Sequence, residues 1–203
     1  MPGGAQQAIV DRAAEAVTRL RQQPRFSSIE PLLTKARAVV IFPRLLKASL
    51  VFGGEGGNGV VLVKRPDGSW SGPAFYSLAA PSVGLQAGVQ ATTVLLFIMN
   101  DLTLERMLHS SLTLGASTSA TLGQVGERDL TETEIVSRDI FELAESGGAF
   151  AGVSYEGYLI TARQKHNEAY YGAGAAPRAI LMDAKYSRSE ADGLKRALEV
   201  IEK

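Results

Sequence analysis

The chain has 203 residues, in which 21 Lys and Arg balance 21 Asp and Glu, so the formal net charge is zero. The absence of a basic excess argues against nonspecific nucleic-acid binding, and the absence of cysteine excludes disulfides, thiolate metal sites and cysteine nucleophiles. A hydrophobic fraction of 45% predicts one folded domain with a sizeable core rather than a disordered segment.

The N-terminal segment has the periodicity of an amphipathic helix over residues 5–21. Its apolar residues recur on one face: Ile9, Ala13, Val17 and Leu20. Pro24 ends this helix. The run Ser27-Ser28-Ile29-Glu30 is typical of a capping box, and it predicts a second, short helix that continues to Lys35.

Residues 39–75 consist of apolar, β-branched runs separated by glycines, which predicts a meander of antiparallel strands. We expect strands at 39–42 and 49–52, joined by a basic loop at 43–47. A hairpin is expected next, with arms at 60–64 and 69–75. Its Asp67-Gly68 dipeptide is typical of a type I′ turn, which needs positive φ at both central residues.

A glycine-rich corner precedes that hairpin, and its residues 54–59 match the dinucleotide-binding pattern G-x-G-x-x-G. A dinucleotide site needs a helix to follow this pattern, because the helix N-terminus holds the pyrophosphate. The run Val60-Val61-Leu62-Val63 instead predicts a strand. We therefore interpret the glycines as residues that permit bulges, positive φ or close backbone contact.

The second half of the chain predicts both strands and helices. Asn100 or Asp101 is expected to cap one of the helices. The predicted elements are strands at 82–99 and 114–122, a helix at 102–109, a strand pair at 133–143 and 149–161 hinged at 146–148, and helices at 162–171 and 189–202. The fold class is predicted to be α+β: a strongly curved antiparallel sheet, or partly open barrel, covered by N- and C-terminal helices.

No residue pattern indicates catalysis, a metal site or a cofactor. His109 and His166 lack metal-ligand spacing and are expected to be surface or capping residues, and no G-x-S-x-G nucleophile motif occurs. A group of acidic residues is interpreted as a solvated face, with a catalytic carboxylate pair as the alternative. The group comprises Glu132, Glu134, Asp139, Glu142 and Glu145.

One constellation combines positive charge with apolar side chains. Its cations are Arg37, Arg44, Lys47, Lys64 and Arg65. Leu45 and Leu46 lie between two of them. Such a surface suits anionic lipid, because the cations meet headgroup phosphates while the leucines enter the interface. The alternative is that both leucines belong to the core and the cations to its ordinary rim.

Several motifs occur in order between residues 29 and 171: Phe42-Pro43, Gly53-Gly54-Glu55-Gly56, Gly59-Val60-Val61-Leu62, residues 70–75, 82–88 and 149–157, and Asn167 with Tyr170-Tyr171-Gly172. In these motifs the chain resembles the SYLF lipid-binding family. The resemblance implies a non-enzymatic, membrane-associated module. Eukaryotic members look like phosphoinositide binders that act in membrane and cortical actin remodelling. Their lipid-binding part corresponds to residues 29–47, which favours Arg37, Arg44 and Lys47.

The resemblance also predicts domain boundaries and a location. We expect a helix and linker at 1–28, a SYLF domain at 29–186 and a C-terminal helix at 187–203. Bacterial relatives are often exported lipoproteins, so we expect an exported, membrane-associated periplasmic lipoprotein, with a leader ending in Cys before the present start. A cytoplasmic location is the alternative.

The expected function is the binding of anionic phospholipid at a membrane surface, without cofactor, metal or nucleic acid. Two alternatives are a protein-interaction scaffold that uses the same surface, and a small-ligand carrier or enzyme with an internal cavity.

Overall fold

The structure, a computed structural model, describes residues 3–48, 54–81, 91–109, 111–114, 120–125, 128–147, 149–150 and 158–199. The helices are α1 (Gly4–Arg21), α2 (Glu30–Lys35), α3 (Asp101–His109), α4 (Glu132–Ser137), α5 (Gln164–Tyr171), α6 (Pro177–Leu181) and α7 (Asp192–Leu198). The strands are β1 (Ala38–Ala48), β2 (Gly54–Val63), β3 (Ala74–Pro81), β4 (Thr92–Ile98), β5 (Leu112–Leu114), β6 (Leu122–Gln124), β7 (Ile140–Ser146), β8 (Ala149–Phe150) and β9 (Tyr158–Ala162).

These strands form one sheet in the order β5-β9-β3-β2-β1-β4-β7-β6, and β8 pairs with β7. The described strand pairs are antiparallel except for β6 and β7, which run parallel. The sheet is nearly closed and barrel-like, with helices from both ends of the chain packed on it. The predicted α+β fold with a strongly curved sheet is confirmed.

Alternating residues of the strands build two cores, one on each face of the sheet. The first core joins Ile41, Val60 and Phe75 to the apolar faces of α1 and α7. The second core joins Phe42, Tyr76 and other residues of the opposite face to α3 and α6. Helix α1 confirms three of the four residues predicted for its apolar face, because Ala13, Val17 and Leu20 are buried, whereas Ile9 is only half-buried. Val10 and Ala16 are buried as well.

The predicted capping box before α2 is wrong. Residues Pro24–Ser28 form a 3-10 turn, and Ile29 occupies the N-cap position without a side-chain cap. Ser27 Oγ donates instead to the carbonyl oxygen of Pro24, at 3.2 Å. Ser27 therefore stabilises the turn and not the helix that follows.

The predicted basic loop at 43–47 is also wrong, because these residues continue β1. The register of β1 shifts by one residue against β4: two residues, Pro43 and Arg44, lie opposite Thr93 alone. This is a β-bulge, a place where a proline is tolerated in a strand. The strand predicted at 49–52 lies outside the described residues.

Two further differences arise from pairing across the sheet. The glycine corner at 54–59 is the first part of β2, paired with β1 on one side and β3 on the other.

The Asp67-Gly68 turn is not type I′. Gly68 N donates to the Arg65 carbonyl at 2.9 Å, and Arg65 N to the Ser69 carbonyl at 2.7 Å, while Gly68 is the one residue of this turn with positive φ. This is a type I turn followed by a left-handed glycine.

In the second half, α3, α5 and α7 occur near their predicted positions, and Asn100 caps α3 by accepting from Thr103 N at 2.9 Å. The strand predicted at 133–143 begins as helix α4, where Thr131 and Glu134 form a capping box. The predicted pairing of 149–161 with it is correct only for β8, because β9 pairs with β3 and β5. Helix α6 was not predicted. Residues 82–90, 115–119 and 151–157 lie outside the described part.

Candidate functional site

The residues predicted to bind lipid lie at two ends of β1 instead of in one cluster. Arg37, Lys64 and Arg65 are at the start of the strand, where Lys64 N donates to the Arg37 carbonyl at 2.9 Å. Arg44 lies seven positions along the chain, about 23 Å away at about 3.3 Å per residue. We call the segment Arg44–Lys47 the bulge end of β1.

The cations at the start of β1 are engaged in the fold. Lys64 Nζ donates to the carbonyl oxygens of Leu33 (2.5 Å) and Thr34 (2.6 Å), and it lies 5.1 Å from the Trp70 ring centroid. Burial, followed by the nearby Arg37 guanidinium, lowers the pKa of Lys64. The lysine thus caps the C-terminal carbonyls of α2, an arrangement that the helix dipole favours.

Arg37 and Arg65 also have roles in this region. Arg37 Nε donates to Asp101 Oδ1 at 2.6 Å, an ion pair that joins the start of β1 to the first turn of α3. The backbone of Arg65 closes the turn that contains Gly68, and its side chain is half-buried.

The bulge end separates the two adjacent leucines. Leu45 is fully buried in the second core, whereas Leu46 is 39% exposed on the opposite face. Arg44 is exposed, and the backbone of Lys47 pairs with Glu55. Of the two leucines, only Leu46 can contact a surface outside the molecule in this conformation.

Glycines in β2 allow the bulge to press against the neighbouring strand. A Cβ on Gly57 would lie 2.6 Å from the Arg44 carbonyl oxygen, and one on Gly59 would lie 2.2 Å from that of Ile41. Neither glycine has positive φ. The close-contact interpretation of the glycine-rich segment is therefore confirmed at these two positions, and the helix that a dinucleotide site needs is replaced by strand β2.

A polar network holds the bulge in place. Arg19 of α1 donates from Nη2 to Glu145 Oε2 at 2.8 Å and to Thr93 Oγ1 at 3.0 Å. Thr93 Oγ1 in turn donates to the Pro43 carbonyl oxygen at 3.0 Å. Sequence reasoning missed this network, because its members come from four elements and no short-range pattern connects them.

The motifs around residues 70–75 and 167–172 contact each other. Asn167 is fully buried, and its Oδ1 accepts a hydrogen bond from Phe75 N at 2.6 Å. Tyr171 donates its hydroxyl to the Pro73 carbonyl oxygen at 2.7 Å, and Trp70 Nε1 donates to the Leu198 carbonyl oxygen at 3.2 Å. These residues connect β3 and the segment just before it to α5 and α7, which is a structural role. The motif residues 82–88 and 151–157 fall outside the described part.

Histidines and carboxylates form no metal-binding group of three or more in the part of the chain that the structure describes. His109 is exposed at the end of α3, as expected. His166 is half-buried, and its ring centroid lies 6.2 Å from that of Phe75. Burial, followed by the positive charge of Arg163, lowers the pKa of His166.

The acidic residues do not all line a solvated face, since Glu142 and Glu145 are buried. They lie in β7, where alternate side chains enter the two cores.

None of the described helices combines the length and the apolar character that crossing a bilayer requires. The described helices could therefore contact a membrane only through surface residues. Exposed Arg44 and exposed Leu46 are two positions apart on one bulged strand, and a cation next to an apolar side chain can serve a surface contact of this kind.

Comparison with known proteins shows one consistent relationship. The family model Ysc84, described as "Las17-binding protein actin regulator", matches residues 79–201. Protein YSC84 of Saccharomyces cerevisiae is 32% identical over 173 residues, which cover 83% of this chain and 36% of the yeast protein. Human SH3 domain-containing YSC84-like protein 1 is 30% identical over 144 residues, covering 69% of this chain and 41% of that protein. The chain thus spans less than half the length of these relatives.

Proposed function

The chain belongs to the Ysc84, or SYLF, family, and we propose that it is a binding module that docks on membrane surfaces carrying anionic phospholipid, without catalytic turnover. The contact is the bulge end of β1. Arg44 meets headgroup phosphates there, and Leu46 enters the interface.

The observation that carries this proposal is the exposure of Leu46 beside Arg44. A leucine that is 39% exposed, on a strand otherwise rich in buried side chains, has apolar surface to bury against a partner. That burial contributes about 1–2 kcal/mol, and each basic residue near an anionic surface adds about 1 kcal/mol. The contact is therefore weak and reversible, and it depends on salt.

The start of β1 is a poorer candidate for the same role. Lys64 already donates to two carbonyl oxygens, and Arg37 is paired with Asp101. Moving either cation to a phosphate would break contacts that hold α2 or α3 to the sheet. We therefore restrict the proposed lipid contact to the bulge end.

The interior supports a surface role over an internal ligand site. Tyr76, Tyr158 and Phe42 are among the largest fully buried side chains, and they fill the second core between the sheet and its helices. In the described part of the second core these aromatic side chains are packed together, which favours a surface role over a ligand held between them.

A protein partner is the second candidate. The family is described as Las17-binding, and relatives are named LAS seventeen-binding protein 3 and SH3 domain-containing YSC84-like protein 1. The same exposed leucine and arginine would suit a partner with an apolar pocket and a nearby carboxylate. In that reading, binding does not require lipid.

Vesicle flotation tests the first candidate. The protein is mixed with phosphatidylcholine vesicles, with or without phosphatidylserine, at low and at physiological ionic strength. We expect co-flotation with acidic vesicles that weakens as salt increases. Equal recovery with neutral and acidic vesicles at low salt would overturn the proposal. A mass that rises with protein concentration in the absence of lipid would favour a protein interface.

A further inference from the structure

A single row of residues crosses the sheet from Leu46 to a second exposed leucine. Leu46 of β1 pairs with Gly56 of β2, Gly56 with Ala79 of β3, and Ala79 with Leu159 of β9. Residues paired across antiparallel strands point to the same face of a sheet. We call these four residues the outer row.

Leu159 is 41% exposed, close to the 39% of Leu46, and Ala79 is exposed between them. Three strand spacings of about 4.8 Å place the two leucines roughly 14 Å apart along the row. The outer row lies on the face of the first core, past the part of the sheet that α1 and α7 cover.

The next row on the same face is also uncharged where it crosses β2, β3 and β9. Asn58 pairs with Ser77, and Ser77 with Thr161, whose hydroxyl lies 3.1 Å from that of Ser111. Across β1 the second row continues through the bulge to Thr93 and then to Glu145, which is buried and paired with Arg19. On β2, β3 and β9, an anionic surface that approached this face would meet no carboxylate of the two rows, and Arg44 lies exposed near one end.

Resting on the proposed function, we propose that the outer row forms the floor of the membrane contact and that Leu159 is its second inserting side chain. The argument is continuity: Leu46 belongs both to the proposed lipid contact and to this row. Two inserted leucines together with Arg44 give three contacts that fix the orientation of the sheet against a bilayer, whereas one leucine gives only a single point of contact. Leu45, the other leucine of the sequence pattern, is buried in the second core.

The occupant we favour is an anionic bilayer rather than a second copy of the chain. A bilayer accepts two separated apolar side chains without matching their shape, and its charge complements Arg44. A second copy would have to cover the full row with a close-packed surface.

The absence of cysteine makes a direct test available, because one introduced cysteine can carry a unique label. An environment-sensitive fluorophore is attached at Leu46→Cys, at Leu159→Cys and, as a control, at Leu102→Cys. Leu102 is 62% exposed but lies on α3, at the opposite end of the sheet. With phosphatidylserine vesicles, we expect blue-shifted, brighter emission at positions 46 and 159 and none at 102.

The outcomes separate this inference from the proposed function. A shift at 46 without one at 159 overturns the inference and leaves the lipid contact intact. Co-flotation of the unchanged protein without a shift at either leucine overturns both the contact surface and the inference. A shift at 159 that depends on protein concentration and not on vesicles overturns the inference in favour of self-association.

A binding assay gives an independent readout. Leu159→Asn should weaken partition onto acidic vesicles by about fivefold, as Leu46→Asn should, because each removes one inserted side chain. Leu102→Asn should leave partition unchanged. Circular dichroism confirms that each variant is folded, and unaltered partition of folded Leu159→Asn overturns the inference.

Discussion

The side-chain oxygen of Asn167 accepts a hydrogen bond from the backbone nitrogen of Phe75 at 2.6 Å, across 92 residues of sequence. Both residues are fully buried. The bond fixes α5 against β3, the strand that carries Ala79 of the outer row.

Replacing Asn167 with Leu should lower the free energy of unfolding by about 1–3 kcal/mol, because the Phe75 N–H would stay buried without its acceptor. Denaturant unfolding followed by circular dichroism measures the change. Lys165→Leu, at an exposed position of the same helix, is the control and should change stability by less than about 0.5 kcal/mol. Equal stabilities of the two variants would contradict the assigned role.

Gly59→Ala should destabilise the protein by about 3 kcal/mol. The new Cβ would meet the Ile41 carbonyl oxygen at 2.2 Å and Phe42 Cδ1 at 2.5 Å, so two strands would have to separate. Gly193→Ala is the control, since nothing lies within 4 Å of its Cβ position and alanine favours helix α7 by up to about 1 kcal/mol. Wild-type stability of Gly59→Ala would show that β1 and β2 are not this close.

Arg44→Gln should weaken binding to acidic vesicles by about fivefold, the effect of losing roughly 1 kcal/mol from one cation. The dependence of binding on salt should become shallower as well. Arg138→Gln removes an exposed arginine just before β7, at the end of the sheet opposite the bulge, and should have no effect. If both variants lose binding equally, attraction depends on overall charge and not on the bulge end.

Lys64→Met should lower stability by about 1–2 kcal/mol and leave vesicle binding unchanged. The variant keeps an apolar side chain against Trp70 but loses the charged hydrogen bonds to Leu33 and Thr34. Thermal unfolding and flotation of the same preparation test both parts. A variant of unchanged stability that fails to bind vesicles would show that Lys64 contacts lipid.

Stability should decline in alkaline solution because of buried tyrosines. Burial raises the pKa of Tyr76 and Tyr171 well above the usual 10, and that of Tyr170 to about 12. The unfolded chain therefore releases these protons first, so the stabilisation is complete below pH 10 and is lost at higher pH, in the case of Tyr170 as pH rises through about 12.

Ultraviolet titration of tyrosinate in the native and the denatured protein tests this expectation. We expect ionisation of the native protein to lag behind that of the denatured protein, and Tyr170→Phe to reduce the loss of stability above pH 10. Superimposable titration curves would show that the three hydroxyls are accessible to water.

Local sequence patterns correctly predicted those helices and strands whose formation depends on residues close together in the sequence. The apolar spacing of α1, the Asn100 cap of α3 and the β-branched runs of β1, β2 and β4 are each decided by neighbours in sequence, through side-chain periodicity and backbone preference. The curved sheet with terminal helices followed from these elements and from the family motifs. The shapes of the turns and the partners of β9 did not, because they depend on pairing between distant segments.

Only the tertiary structure decided which of Leu45 and Leu46 is buried and which is exposed. One extra residue at the bulge reverses which leucine is buried, and the bulge exists because Thr93 and Arg19 hold it while Gly57 and Gly59 leave room for it. Sequence alone placed the cations and leucines in one basic, apolar stretch. In the folded protein these residues lie at the two ends of an extended strand. The cations at its start are engaged in contacts within the fold, and Arg44 and Leu46 at its bulge end are exposed.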